Sequence, residues 1–150
     1  MLRALTKARK EGYKIIYIDE TMFTRRSIPT KEYRKASQNM TVDQALINEP
    51  TLALLSGISK ERGQEAYMIF PNSVNIAKFK EYLTKLREEN EGEKICIFMD
   101  NLTTHTSQKS KDAMRTLGFK WIYNMAYQPD YNPIEFVFSK MKQKFKCLRA

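Results

Sequence analysis

Three acidic residues of this chain stand at the ends of segments that would hold them firmly in a folded protein. Asp19 closes the apolar run KIIYIDE, Asp100 closes the run KICIFMDN, and Glu135 opens the amphipathic stretch NPIEFVFSKMKQKF. Carboxylate oxygens are hard ligands, and two or three of them together can hold Mg²⁺ or Mn²⁺. A pair of such ions can activate water and stabilise the leaving oxygen of a phosphodiester. The pattern therefore predicts a metal site for cutting phosphodiesters.

Each acid also has a purely structural interpretation. An aspartate after a strand commonly starts a turn, which would account for Asp19 or Asp100 taken singly. Asn132 suits a helix N-cap, Pro133 suits the first helical position, and Glu135 then falls at the capping-box position. The same cap would also fix the start of the helix and so hold Glu135 in a defined orientation, as a metal ligand requires. The capping contact and the metal contact would then compete for one carboxylate. All three acids taken together favour the metal site.

The hydrophobic pattern predicts a sheet that could bring these distant acids together. The predicted strands are 14–19, 51–58, 65–70, 94–99 and 119–123, and the predicted helices are 75–89, 107–117 and a last one from Pro133. A short helical stripe, Leu2, Leu5 and Ala8, precedes them and stops before Gly12. The order β-β-β-α-β-α-β-α indicates an α/β domain with a mixed five-stranded sheet flanked by helices. Ribonuclease-H-like domains have this order, so we expect that fold.

Such a sheet has a preferred place for a ligand. In an open α/β sheet, ligands bind beyond the carboxyl ends of the strands. If the strands that end at Asp19 and Asp100 are parallel neighbours, both side chains reach one crevice there. Like charges so close repel each other unless a cation neutralises them.

Length and charge narrow the class of protein. The 150 residues form one domain, and 42% apolar with 11% aromatic residues indicate a packed core. The net charge of +9 and the pI of about 9.5 favour a polyanionic partner, most often nucleic acid. The alternative is a basic surface that only keeps the protein in solution.

The predicted last helix combines an apolar stripe with a basic remainder. The stripe consists of Ile134, Val137, Phe138, Met141, Phe145 and Leu148. The basic positions are Lys140, Lys142, Lys144, Lys146 and Arg149, with no acid after Glu135. We expect these cations to bind a DNA phosphate backbone, and the alternative is a solvated helix face.

Four further side chains suit the same chemistry less specifically. His105, the only histidine, lies in the polar stretch DNLTTH, where it could position a phosphate or assist proton transfer. The alternative for a lone loop histidine is a cap or a plain surface group. Tyr127 and Tyr131 could stack on bases, whereas Trp121, in a short strand, is expected in the core.

Cysteine usage and hydropathy indicate in which cellular compartment the protein is found. Cys96 lies in an apolar run and is expected to be a buried thiol, and neither it nor Cys147 belongs to a zinc-type pair. This usage fits a reducing compartment. Apolar runs reach only about five residues, too short for a membrane span. The N-terminus lacks the apolar region of a signal peptide, so we expect an intracellular protein that is neither secreted nor bound to a membrane.

Three segments, in this order, resemble the catalytic domain of mariner-superfamily transposases. Members share a strand that ends in Asp-Glu with Phe three residues later, and a strand that ends in Asp-Asn with His five residues after the Asp. They also share a Pro-Asp-x-Asn-Pro-Ile-Glu segment that enters a helix. The corresponding segments are YIDETMF at 17–23, FMDNLTTH at 98–105 and QPDYNPIEF at 128–136. The gap of 34 residues between Asp100 and Glu135 matches one large branch of the superfamily.

The resemblance covers residues 13–146, with two departures. Leu-Thr-Thr follows Asn101 where many relatives have Ala-Pro, and Tyr131 replaces a frequent Leu. These transposases usually carry N-terminal helix-turn-helix modules that read the transposon ends. We expect residues 1–150 to be a single catalytic domain without those modules.

The resemblance implies an activity and its components. It implies a ribonuclease-H-like fold, two Mg²⁺ ions that Mn²⁺ can replace, hydrolysis at a transposon end, and attack of the freed 3′-hydroxyl on target DNA. The implied catalytic residues and metal ligands are Asp19, Asp100 and Glu135, and the auxiliary positions are Glu20, Asn101, His105 and Asn132. Partners would be double-stranded DNA, at transposon ends and target, and a second copy in a synaptic complex. In a eukaryote the protein would act in the nucleus.

Two other functions fit the same residues. A catalytically inert, nucleic-acid-binding remnant of a transposase would keep the basic surface and retain the acids as relics. A different ribonuclease-H-like nuclease would act on RNA–DNA hybrids.

Overall fold

A computed structural model describes residues 1–24, 51–125 and 131–147 of this chain, without the side chain of Lys146. The chain alternates helices and strands around one sheet. The elements are α1 (Leu2–Lys10), β1 (Lys14–Phe23), β2 (Leu52–Ser59), β3 (Gly63–Pro71), α2 (Ile76–Glu88), β4 (Ile95–Met99), α3 (Thr103–Thr106), α4 (Gln108–Thr116), β5 (Lys120–Tyr123) and α5 (Ile134–Cys147). The predicted stacking by Tyr127 and the positions Leu148 and Arg149 lie outside the described residues.

The sheet is mixed, as predicted from the order of the elements. Its strands lie in the order β3-β2-β1-β4-β5. The first three strands pair antiparallel, whereas β1 with β4 and β4 with β5 pair parallel. The strands that carry Asp19 and Asp100 are therefore parallel neighbours, which is the arrangement that a shared crevice requires.

Alternation along the strands divides the core between two faces of the sheet. Ile16, Ile18 and Ile97 point to the face covered by α2 and α4, where the main core lies. Ile15 and Phe98 point to the opposite face, which α1 and α5 cover in two smaller apolar clusters. Side chains at every second position of a strand lie on the same face. Asp19 therefore lies on the same face as Ile15, and Asp100 on the same face as Phe98, which is the face that α5 covers.

Strand β1 is longer than the sequence predicts. We expected it to close with Asp19, but it continues to Phe23 because β2 pairs with it antiparallel as far as the Phe23–Leu52 pair. Its parallel pairing with β4 ends at the Tyr17–Phe98 pair. Asp19 therefore lies beyond the last pair with β4, at the point where β1 is held by β2 alone.

The other predicted elements agree closely with the structure, with one omission. The remaining predicted strands lie within two residues of those observed. Helix α2 begins as expected at the N-cap Asn75, whose Oδ1 accepts a hydrogen bond from the Lys78 N–H at 3.0 Å. Cys96 is buried and Trp121 is half-buried against the main core, as predicted. The short helix α3, in the segment predicted as a polar loop, was not predicted.

A buried ionic cluster joins β1, β3 and the turn before β4. The Lys14 ammonium lies 2.8 Å from Glu65 Oε1 and 3.0 Å from Glu93 Oε2, and it donates to Asn90 Oδ1 at 2.8 Å. The Glu65 side chain is fully buried, so Lys14 supplies the main compensation for its charge. This cluster fixes the start of β1.

An apolar groove of about 770 Å³ runs between α5 and the adjoining face of β2 and β3. Its walls include Leu54, Ile69, Met141 and Phe145. Within the part of the chain that the structure describes, no helix has the length and apolar character needed to cross a membrane.

Candidate metal centre

Asp19 is the buried member of the predicted acidic set, with only 8% of its surface exposed. Its Oδ1 accepts a hydrogen bond from the Glu20 N–H at 2.7 Å. Burial raises its pKa to about 7, and the charges of Asp100 and Glu135 act in the same direction, whereas the Glu20 N–H opposes them. The two other predicted ligands thus lie close enough to make Asp19 harder to ionise.

Glu135 reaches Asp19 from the first turn of α5. It is the second residue of that helix, it is exposed, and its carboxyl group hydrogen-bonds to Asp19. Two carboxyl groups can share a hydrogen bond only if one of them carries a proton. The structure thus brings together these two acids, which are 116 positions apart in the chain.

Asn132 has a different role from the predicted cap. Its Nδ2 donates to the Ile18 carbonyl and to Asp19 Oδ2, both at 3.3 Å. Its buried Oδ1 has no hydrogen-bond partner among the described residues, so the side chain does not cap α5. The capping interpretation is therefore wrong for Asn132, because the strand beneath the helix supplies acceptors that hold its amide. The residue ties the entry of α5 to β1.

Asp100 follows the last residue of β4 and is held by His105. The Nδ1 atom of His105 lies 2.6 Å from Asp100 Oδ1, and the Leu102 N–H donates to the same oxygen at 3.4 Å. The prediction that His105 lies in a polar loop is wrong, and so is the alternative of a plain surface group. It lies on α3 with 1% of its surface exposed, and its ring packs on Phe79 with 4.7 Å between centroids.

Phe79 and Tyr123 are supports of the site that the sequence did not indicate. Phe79 belongs to the apolar stripe of α2, and its role beside His105 depends on a contact across the fold. The Tyr123 hydroxyl donates to the His105 carbonyl at 3.1 Å. No local pattern in the sequence could have revealed either contact.

The auxiliary residues Glu20 and Asn101 brace the site from its edges. Glu20 points to the opposite face of the sheet from Asp19, where its Oε1 accepts from the Val74 N–H at 3.3 Å. Asn101 Nδ2 donates to the Asn124 carbonyl at 2.7 Å, which joins the end of β4 to the end of β5. Neither side chain belongs to the acidic set itself.

The donor set fits a divalent cation. The three acids offer only oxygen ligands, and their mutual repulsion is what a cation would relieve. As the side chains lie, no three histidine, cysteine or acidic residues in the described ranges are arranged to hold one ion together. Asp19 instead bonds to Glu135 and Asp100 bonds to His105. Asp19, Asp100 and Glu135 would hold such an ion, which would take the place of the proton that Asp19 and Glu135 share.

The basic positions of α5 lie mainly in solvent. Lys140, Lys142 and Lys144 are exposed, and the Lys140 ammonium lies 5.5 Å from the centroid of the Phe136 ring. Nothing is described for the side chains of Lys146 and Arg149. Ile134 and Phe138 are buried beneath the helix, which leaves the lysines as its outward surface.

The fold and the position of the acids define a ribonuclease-H-like domain with carboxylates on two neighbouring parallel strands and on a following helix. Residues 14–150 match the model of a family described as DDE superfamily endonuclease. The chain belongs to this family. Comparison with curated protein sequences gives no match.

Solved structures with the same fold include several of the Mos1 transposase. The pre-cleavage Mos1 transpososome has a TM-score of 0.69 at 19% identity, and the match covers 95% of this chain and 46% of that one. The Mos1 strand transfer complex has a TM-score of 0.70 at 20% identity, with 95% and 44% covered. The Mos1 catalytic domain with raltegravir and Mg has a TM-score of 0.65 at 19% identity, with 93% and 66% covered.

These structures confirm the predicted ribonuclease-H-like fold and its likeness to a mariner transposase catalytic domain. The chain spans less than half the length of the polypeptides in the transpososome and the strand transfer complex. Structures of Mos1 were solved with Mg or with Mn, which agrees with a divalent metal in this fold.

Proposed function

We propose that residues 1–150 form the catalytic domain of a DNA transposase. In this function the domain hydrolyses a phosphodiester at a transposon end and joins the freed 3′-hydroxyl to target DNA. The observation that carries the proposal is the convergence of acids from distant segments: Asp19 is buried on β1, and the Glu135 carboxyl group hydrogen-bonds to it from α5. Membership of the DDE endonuclease family supports the same conclusion.

Asp19, Asp100 and Glu135 would hold the metal, which we infer to be two Mg²⁺ ions that Mn²⁺ can replace. When bound, such ions supply water activation and stabilisation of the leaving oxygen. Carboxylate oxygens suit Mg²⁺, and the oxygen-only donor set gives no reason to expect zinc.

The remaining residues of the site position these acids and the DNA. Asn132 orients Asp19 by donating to Oδ2, and the Glu20 N–H holds Oδ1. Lys140 and Lys144 lie roughly 8 and 14 Å along the α5 axis from Glu135, at a rise of about 1.5 Å per residue. Exposed cations at that distance from the acids can bind phosphates that flank the scissile bond. Lys142 extends the same basic surface, and Lys146 and Arg149 are kept as DNA-binding positions from the sequence alone.

The partners follow from the reaction. Double-stranded DNA, both transposon end and target, is the substrate, and two copies of the domain would act in one synaptic complex. The Mos1 transposase has been solved as a paired-end complex with the left transposon end, which supports a paired arrangement here. We infer an intracellular location, in the nucleus if the source is eukaryotic.

A nicking assay tests the proposal directly. Supercoiled plasmid is incubated with the chain in Mn²⁺ or Mg²⁺, and relaxed and linear products are measured. We expect nicking by the wild type, and none above background by Asp19→Ala, Asp100→Ala or Glu135→Ala. The matched control is Asp112→Ala, since Asp112 is an exposed aspartate on α4 that pairs only locally, with Arg115 at 2.8 Å. Wild-type nicking by Asp100→Ala would refute the proposal.

Two outcomes of the same assay identify the other functions. DNA binding that weakens steeply with salt, without cleavage in any divalent ion, identifies an inert remnant. Faster cleavage of RNA–DNA hybrids than of duplex DNA identifies a ribonuclease H activity.

A further inference from the structure

We propose that His105 is a positioning residue for Asp100. It holds one oxygen of the Asp100 carboxylate from inside the domain and so directs the other oxygen toward the metal ion. The inference rests on the proposed function, in which Asp100 is a metal ligand. Because only 1% of its surface is exposed, His105 acts through Asp100 and not on the DNA.

The hydrogen bond has a defined direction. A carboxylate that ligates a metal ion has no proton to donate, so with Asp100 as a ligand the imidazole would donate from Nδ1 to Asp100 Oδ1, 2.6 Å away. The Leu102 N–H reaches the same Oδ1 at 3.4 Å. Both contacts fall on Oδ1, so Oδ2 is the oxygen that can serve a metal ion.

Three neighbouring elements hold His105 and the helix that carries it, so the imidazole can fix Asp100. The His105 ring packs on Phe79, and the His105 backbone carbonyl accepts from the Tyr123 hydroxyl at 3.1 Å. The neighbouring Thr104 carbonyl accepts from the Ser110 hydroxyl at 2.6 Å, which joins α3 to α4. Contacts from α2, β5 and α4 thus converge on the short helix that carries His105.

A fixed carboxylate binds a cation more tightly than a free one, because less rotational freedom is lost on binding. Partners that orient metal ligands in this way typically contribute about 10-fold to 100-fold in metal affinity or activity. The half-exposed position of Asp100, directly after β4, makes such an anchor necessary, since no strand pairing restrains its side chain.

Two substitutions separate the hydrogen bond from the bulk of the ring. His105→Asn places an amide nitrogen near the position of Nδ1 and keeps a donor for Asp100. His105→Leu fills similar space without a donor. Mn²⁺ binding is measured by calorimetry without DNA, and nicking is measured against Mn²⁺ concentration.

We expect His105→Leu to bind Mn²⁺ about 10-fold to 100-fold more weakly, with nicking at low Mn²⁺ reduced and largely restored at saturating Mn²⁺. We expect His105→Asn to recover most of the wild-type affinity. Leu86→Ala is the matched control, because it removes buried bulk from the main core without contacting Asp100 and should bind Mn²⁺ as the wild type does.

Three results would overturn this inference. They are wild-type Mn²⁺ affinity in His105→Leu, equal weakening in the Asn and Leu variants, and failure of both variants to fold by circular dichroism, which would make His105 a structural residue. Failure of the proposed function looks different: the wild type itself would bind no Mn²⁺, or Asp100→Ala would still nick.

Discussion

Replacing Asp19 by asparagine should stabilise the metal-free chain at neutral pH. Asp19 is buried beside two other acids, and its side chain already makes the contacts of a protonated carboxyl group, including the hydrogen bond with Glu135. An asparagine amide has similar shape and no charge. It can donate to Glu135 and still accept from the Glu20 N–H, which lies 2.7 Å from Asp19 Oδ1 in the wild type, and it gives up only the long hydrogen bond of 3.3 Å that Asn132 Nδ2 donates to Oδ2.

The size of the effect follows from the pKa of Asp19. That pKa is about 7 in the folded chain, against 3.8 for an ordinary aspartate. Because the folded pKa is raised, the stability that Asp19 contributes is fully present below pH 3.8 and is lost as the pH rises to 7. At about 1.4 kcal/mol per pKa unit, the loss amounts to about 4 kcal/mol at pH 7.5.

The assay is urea unfolding in EDTA, followed by the fluorescence of the half-buried Trp121. At pH 4.5 the free energies of unfolding of Asp19→Asn and the wild type should agree to within about 1 kcal/mol, and at pH 7.5 the variant should be more stable by about 4 kcal/mol. Asp112→Asn, at an exposed position, should show no such pH dependence. Adding Mg²⁺ at about 100 times its Kd should stabilise the wild type by about 2.7 kcal/mol and the variant by much less. Equal stability of Asp19→Asn and the wild type at pH 7.5 would refute the reasoning.

Two predictions concern the rest of the fold. Lys14→Met should lower the free energy of unfolding by about 3 kcal/mol in urea titrations, because the fully buried Glu65 carboxylate loses its nearest cation and keeps only the Ser59 hydroxyl and the more distant Arg62, at 3.6 Å. The exposed Lys94→Met should change it by less than about 0.5 kcal/mol, and comparable losses in the two variants would contradict this account. A thiol reagent at pH 8 should modify Cys147, which is exposed, and not Cys96, whose burial raises its pKa to about 11. Mass spectrometry of the labelled peptides checks this, and rapid labelling of Cys96 in the native chain would be inconsistent with its burial.

The sheet could be predicted because its strands are apolar and uninterrupted. Strands β4 and β5 and the stripe of α2 carry local patterns that do not depend on the rest of the fold. The end of β1 could not be predicted, because residues 20–23 are not a typical apolar strand. They are extended because Leu52 and the residues after it pair with them, about 30 positions further along the chain.

In the site, too, the features with a local sequence pattern could be predicted and those that depend on distant contacts could not. Asp19, Asp100 and Glu135 were predicted as a set because each adjoins an element with a clear pattern, and the structure brings Asp100 and Glu135 within electrostatic reach of Asp19. The burial of His105 was missed because the stretch DNLTTH is polar, and the ring is covered by Phe79 from a different helix. The capping role of Asn132 failed for a similar reason, since acceptors on β1 hold its amide in place.

Helix α5 rests on the sheet through a small apolar cluster around Leu54, Ile134 and Phe138, apart from the main core. Glu135, at the start of α5, is therefore positioned by a different apolar cluster from the one that positions Asp19 and Asp100 on the strands. A cation bound both by Glu135 and by the acids of the strands would connect α5 to the sheet. The free energy of metal binding would then also stabilise the packing of α5 on the sheet. Occupancy of the metal site and docking of α5 should therefore increase together.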